Sequence, residues 1–153
     1  MLPTPKRFTQ RPLVTVSASF NRHLPEMQLA VQELWDEGAR VLSPMRPTPF
    51  REISGGFLLL DGDRSFTDLS VKNVQDRHLV CIAASDFLWV VCPGGYVGNS
   101  TAMEIGVAVA SNVPIYSLCA PLLPSIAAYV HVVSSVKLAV LNHRIFDLRS
   151  PGS

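Results

Sequence analysis

At 153 residues, with 48% apolar and 16% charged residues and a formal net charge of +1, the chain has the size of one domain that can bury its own core. So balanced a charge excludes the basic face with which proteins bind a nucleic-acid polymer, and a small neutral or locally anionic ligand is the expected partner. The three cysteines, Cys81, Cys92 and Cys119, form neither a CxxC pair nor a zinc-site spacing. They read as small buried hydrophobes of a reducing cytosol, and neither metal nor cofactor is expected.

Residues 1–12 are polar and proline-bearing, and are expected to be a flexible lead-in without signal-peptide character, followed by a single domain over 13–148. Leu13 to Ser17 is rich in β-branched residues and predicts a buried first strand, running into a turn at Ala18–Asn21. A helix follows from about Leu24 to Glu37, with Met27, Val31, Leu34 and Trp35 on its apolar face and Gly38 as its stop. Arg40–Ser43 is a short second strand, and the proline- and glycine-bearing stretch from Pro44 to Gly56 a loop. Phe57–Leu60 is a short strand or lid edge ending in Asp61-Gly62-Asp63. Thr67 or Asp68 then caps a helix reaching about Ala84.

Asp86–Val91 is the clearest buried strand, and Pro93–Gly98 a glycine-rich loop. Asn99 or Ser100 caps a helix to about Ser111, and Val113–Leu118 forms another strand. A helix near Leu123–Val133 and a last strand near Val136–Leu141 complete the series. The apolar tract 122–141 is interrupted by Pro124, His131 and Lys137 and so fails as a membrane span. Its low charge points instead to a buried element or a subunit contact in a homo-oligomer.

Alternating strands and helices predict an α/β fold, a Rossmann- or flavodoxin-like parallel sheet of about five strands with helices on both faces. Ligands of such sheets bind beyond the carboxyl ends of the strands. There the topology gathers Ser17–Asn21, Asp61–Asp63 and Pro93–Glu104. Gly94, Gly95 and Gly98 allow close backbone approach to a ligand, and the following helix start favours an anion by about 0.3–1 kcal/mol. Asn99, Ser100 and Thr101 add side-chain donors. Glu104, set among Ala102, Met103 and Ile105, fits either a partly buried nucleophile or a capping-box partner of Ser100.

The run from Asp86 through Pro-Gly-Gly-Tyr-Val-Gly-Asn-Ser-Thr-Ala-Met-Glu-Ile-Gly to Tyr116 resembles the core motif of the nucleoside 2-deoxyribosyltransferase family, which includes 2′-deoxynucleoside 5′-phosphate N-hydrolases. Val14–Phe20 and Gly38–Pro44 are similar to that family's opening segments, so the likeness covers roughly residues 13 to 118. It implies a cytoplasmic enzyme whose carboxylate, here Glu104, attacks the anomeric carbon of a nucleoside or nucleotide. The base is released, and water or a second base resolves the glycosyl-enzyme. It also implies a site completed by a neighbouring subunit, and Ser17, Ser19 and Ser100 as contacts for a 5′-phosphate or 5′-hydroxyl. Phe20 and Tyr96 are candidates to stack on the base.

The sequence departs from the family pattern at one informative place. The aspartate expected eight residues before Asp86 is replaced by His78, and the nearest acid, Asp76, lies about 200° away around a helix. Histidine can protonate a leaving base near neutral pH, so His78 is the candidate acid, with Asp61 or Asp63 as substitutes from their loop. Pro-Gly-Gly-Tyr followed by a helical glutamate is also similar, less fully, to the motif of cytokinin-activating phosphoribohydrolases. Relatives of that fold include ligand sensors, which leaves a non-catalytic nucleotide-binding module as the alternative to an enzyme.

Overall fold

The computed structural model describes residues 11–149, with the side chains of Ser54 and of 145–149 excepted; ten of the twelve residues expected as a flexible lead-in lie outside this range. The elements in chain order are β1 (Leu13–Ala18), α1 (Leu24–Asp36), β2 (Arg40–Ser43), β3 (Pro49–Ile53), β4 (Phe57–Leu60), α2 (Val71–Ala83), β5 (Phe87–Val91), α3 (Asn99–Ala110), β6 (Ile115–Ser117), α4 (Pro124–Ala127), β7 (Val130–Val132) and α5 (Val136–Arg149). Five strands form a parallel sheet in the order β2-β1-β5-β6-β7. This is the flavodoxin-like α/β arrangement.

Strand periodicity explains how both faces are filled. Successive β5 side chains point to opposite sides. Phe87, Trp89 and Val91 join Met27, Val31 and Leu34 of α1 and Val136, Ala139 and Val140 of α5. Leu88 and Val90 face the other way, packing with Ile82 of α2 and Ile105 and Ala108 of α3. Covered on both sides, β5 is buried at every position, as its uninterrupted apolar run requires. Each such side chain taken from water contributes about 1.5–3 kcal/mol.

The chain leaves β1 through α1 toward β2, and leaves β5 through α3 toward β6. Their carboxyl ends, where Ser17 pairs with Val90 and Ala18 with Val91, therefore mark the topological switch point. Loops diverge from such a point and open a crevice. A separate antiparallel hairpin, β3 with β4, stands beside it. The Asn21 side chain donates to the Gly56 carbonyl at the hairpin turn and ties it to the loop after β1.

Several expected elements shift. The segment expected as a loop from Pro44 to Gly56 contains β3, whose proline is its first residue, where the missing N–H costs least. The last strand is Val130–Val132, paired with β6, and the long helix expected near 123–133 shrinks to α4. Residues from 136 onward form a helix rather than a strand. The Ser135 hydroxyl accepts from the Leu138 N–H, and Val136, Ala139 and Val140 recur at the helical i, i+3, i+4 spacing and are buried. Trp35 leaves the apolar face of α1 and is 42% exposed, because Ala30 completes the stripe with Met27, Val31 and Leu34. Ser70 rather than Thr67 or Asp68 caps α2, accepting from the Asn73 N–H, while the Asp68 carboxylate accepts from the Ser70 N–H.

Candidate functional site

The crevice is a cleft of about 360 Å³ lined from four directions: Ala18–Asn21 after β1, Gly55–Leu58 of the hairpin, Val71, Gln75 and His78 of α2, and Gly98, Ser100, Thr101 and Glu104 around α3. That volume lies within the range of small-molecule sites, roughly 300–1,000 Å³. Beside it a recess of about 90 Å³ shares Phe20, Phe57, Leu58, Gln75 and His78 and extends to Ser43, Met45, Asp63, Phe66, Arg77 and Cys81. Phe20 and Phe57 therefore stand between a more polar cleft and a largely apolar recess.

Glu104 is the sixth residue of α3 and is only 4% exposed. A carboxylate so buried requires donors, and they come from other elements. Ser17, fully buried on β1, donates from Oγ to Oε1 at 2.9 Å. Gln75 of α2 donates from Nε2 to Oε2 at 3.4 Å. His78, also on α2 and 8% exposed, places Nε2 at 2.9 Å from Oε1. Its ring N–H axis does not run through that oxygen, so the approach is a side-on polar contact rather than a straight hydrogen bond. The other ring nitrogen, Nδ1, lies 2.6 Å from Ser43 Oγ at the end of β2. Phe20 meets the imidazole edge-on, with ring centroids 6.1 Å apart.

This geometry removes the capping-box reading of Glu104. Its carboxylate does not turn back to its own helix start; the capping-box alternative is replaced by bonds to β1 and α2. The N-cap is Gly98 rather than Asn99 or Ser100, and no side chain caps the first turn. The open helix start and the buried carboxylate thus line the same cleft.

The candidate residues divide accordingly. Ser17, Glu104 and His78 form one cluster; Ser19, Phe20, Gly98 and Ser100 line the cleft around it. Asp63 reaches the recess, but its carboxylate accepts from the Leu60 N–H at 2.8 Å. Asp61 pairs with Arg64 and Asp76 with Lys72, both at the surface. Gly95, Tyr96 and Asn99 do not line the cleft. Gly95 is buried against Ala120 and Leu122 on the far side of its loop. Tyr96 lies under the Arg22 guanidinium, 3.9 Å from its ring centroid, and edge-on to His23. Asn99 is exposed at the helix start.

Two contributors escaped the sequence reading. Gln75 stands three residues before His78 and so shares its helix face; that spacing was its one available signal. Ser43 announces itself by nothing in the sequence, whereas Thr101, expected as a donor, is buried and lines the cleft. Burial pushes the Cys81 thiol, which lines the recess, above its ordinary range, and does the same to Cys92. Among the described residues no cluster of three or more His, Cys, Asp or Glu is placed to hold a metal ion, and no helix is long and apolar enough to cross a membrane. The chain matches no protein-family model and no curated protein.

Proposed function

We propose that this protein breaks the N-glycosidic bond of a nucleoside or nucleoside 5′-monophosphate, with Glu104 as nucleophile. One observation carries the reading: a buried glutamate, held by side chains of two other elements, lines a ligand-sized cleft at the switch point of the sheet. Glu104 Oε2 bonds to the anomeric carbon while the C–N bond breaks, and the base leaves with the electron pair and takes up a proton from water admitted to the cleft. Water, or a second base, then attacks the same carbon and releases a proton to solvent, and Glu104 departs as a carboxylate, restoring the enzyme.

The surroundings fit the parts of such a substrate. Ser19, Ser100 and the uncapped first turn of α3 offer donors to a 5′-hydroxyl or 5′-phosphate. The recess beyond Phe20 and Phe57 offers apolar walls to a flat base. The likeness of the segment 86–116 to nucleoside 2-deoxyribosyltransferases supports the same chemistry. A pure nucleotide sensor has less to recommend it, since it gives no reason to bury a carboxylate whose bonds all go to other elements.

The same reading takes the protein as a homo-oligomer. Leu118, Leu122, Leu123 and Tyr129, all more than half exposed, supply apolar surface for a subunit contact. Light scattering tests that, with a monomer at micromolar concentration counting against it.

The function is tested by incubating the protein with a panel of nucleosides and 5′-monophosphates, with and without an acceptor base, and measuring free base by chromatography. Base release that vanishes in Glu104→Ala is the expected result, and dependence on acceptor separates transfer from hydrolysis. Binding of these ligands with no release from any of them would overturn the enzyme in favour of a sensor.

A further inference from the structure

We infer that His78, backed by Ser43, is a positioning residue that determines which oxygen of Glu104 attacks, and is not the acid that protonates the leaving base. The inference rests on the glycosidic reading above and names the work of one residue within it.

Both imidazole nitrogens lie against protein atoms, Nδ1 in a hydrogen bond and Nε2 in the side-on contact with Glu104. Nδ1 lies 2.6 Å from Ser43 Oγ, and Nε2 lies 2.9 Å from Glu104 Oε1 and is covered from solvent. An acid must come within about 2.6–3.2 Å of the atom it protonates, directly or through one water. His78 could do so only by surrendering Glu104 or Ser43.

The carboxylate itself is asymmetric. Oε1 receives the Ser17 hydroxyl and faces His78, whereas Oε2 has only the long 3.4 Å contact from Gln75. The oxygen with spare lone pairs is therefore Oε2, and the glycosyl bond forms there. Oε1 then becomes the carbonyl oxygen of the ester, with Ser17 and His78 already in place beside it. In the second step the same two groups meet the charge that returns to the departing carboxylate, an arrangement set before reaction begins.

The proton position follows from sterics and charge. Two bare acceptors 2.9 Å apart would repel, so the proton belongs on Nε2, with its N–H axis passing beside Oε1. Nδ1 is then free to accept from the Ser43 hydroxyl, which fixes that tautomer as a hydrogen-bonded neighbour commonly does. The groups facing the imidazole are Glu104 from α3, Ser43 from β2 and Phe20 from the loop after β1. His78 also borders the recess, whose charged side chains are Asp63, already accepting from the Leu60 N–H, and Arg77.

The experiment compares a purine nucleoside with its N7-methyl counterpart, whose base already carries a positive charge and leaves without an acid. Wild type, His78→Ala, His78→Gln and Ser43→Ala are assayed on both. Losing a polar contact to a buried carboxylate predicts a drop in kcat of about 10- to 100-fold for His78→Ala, equal on the two substrates and with KM little changed. His78→Gln, which can return an N–H toward Oε1, recovers part of that loss on both; Ser43→Ala shows a smaller loss, also equal. A His78→Ala variant that fails on the ordinary nucleoside yet keeps wild-type activity on the methylated one would overturn the inference, as would a Gln variant no better than Ala. A second arm needs no turnover: nitrogen NMR of the wild-type imidazole should show Nε2 protonated, and Ser43→Ala should shift it toward mixed tautomers. Mixed tautomers already present in wild type would sink the positioning role. Absence of base release from any substrate by wild type would instead refute the underlying glycosidic reading, so the two failures are distinct.

Discussion

Replacing Gly95 by alanine tests whether that glycine serves the fold or the ligand. Gly95 has φ +84°, and a Cβ built on it would lie 2.8 Å from the Ala120 carbonyl oxygen and 2.9 Å from Leu122 Cγ. The left-handed backbone costs a residue with a Cβ about 1–2 kcal/mol. The carbonyl cannot easily retreat, because the Leu122 N–H donates to the Gly95 carbonyl and ties the two segments together. Overpacking of this kind adds about 1–3 kcal/mol, for a total of about 2–5 kcal/mol. Gly94, next in the same turn, has φ +67° and nothing within 4 Å of its built Cβ, so Gly94→Ala should cost only the backbone share, about 1–2 kcal/mol. Urea denaturation measures both. The midpoint should fall further for Gly95→Ala with m unchanged, and Tm should fall by roughly 2–4 °C per kcal/mol in a chain of this size. Equal losses for the two variants would refute the contact argument. A Gly95→Ala protein of unchanged stability but lost ligand binding would return this glycine to the site.

Other consequences follow from packing and burial. Trp89→Ala, emptying a fully buried position on the central sheet, should destabilise the protein by about 3–5 kcal/mol in urea denaturation. Ser70→Ala, removing the α2 cap, should cost about 1 kcal/mol, and because α2 carries Gln75 and His78, hydrogen exchange should rise in its first turn. Burial raises the ionisations of Cys81, Cys92 and Tyr116 above their ordinary values of 9.0, 9.0 and 10.0. The folded chain then holds more protons than the unfolded one in alkali, so stability is intact below about pH 9 and declines as pH rises through these groups. Denaturation midpoints at stepped pH check this; constant stability up to pH 11 would contradict it.

The parallel sheet was legible because its central strands are largely apolar runs bounded by turn residues: positions 14–18 and Phe87–Val91 are buried throughout. The carboxyl end of the chain was not, because Val136–Leu141 is apolar at nearly every position and such a run fits a strand or a helix equally. Only the burial of Val136, Ala139 and Val140 against α1 decides it. The hairpin strand β3 escaped notice since it is mostly exposed and begins with proline, so neither alternation nor a turn signal marks it. Within the site, the short-range motif around Glu104 placed the carboxylate, while its partners come from strands and helices far away in sequence. Ser17 is 87 positions from Glu104, and Ser43 is 35 from His78. Serine spacing carries no record of such meetings; the β1–β5 register and the approach of α2 to α3 create them. Gly95, Tyr96 and Asn99 were grouped with the ligand because they share the loop, yet that loop turns Gly95 toward Ala120 and Leu122, and Tyr96 toward Arg22.

The central claim is that Glu104 forms a covalent bond to the sugar. A nucleoside bearing fluorine at C2′ destabilises the oxocarbenium-like state and slows release of the glycosyl-enzyme, so the intermediate accumulates for mass spectrometry of the intact protein and its peptides. The account predicts one added glycosyl mass, located on Glu104 and absent from Glu104→Ala. A glycosyl adduct on another residue, or base release undiminished in Glu104→Ala, would contradict it.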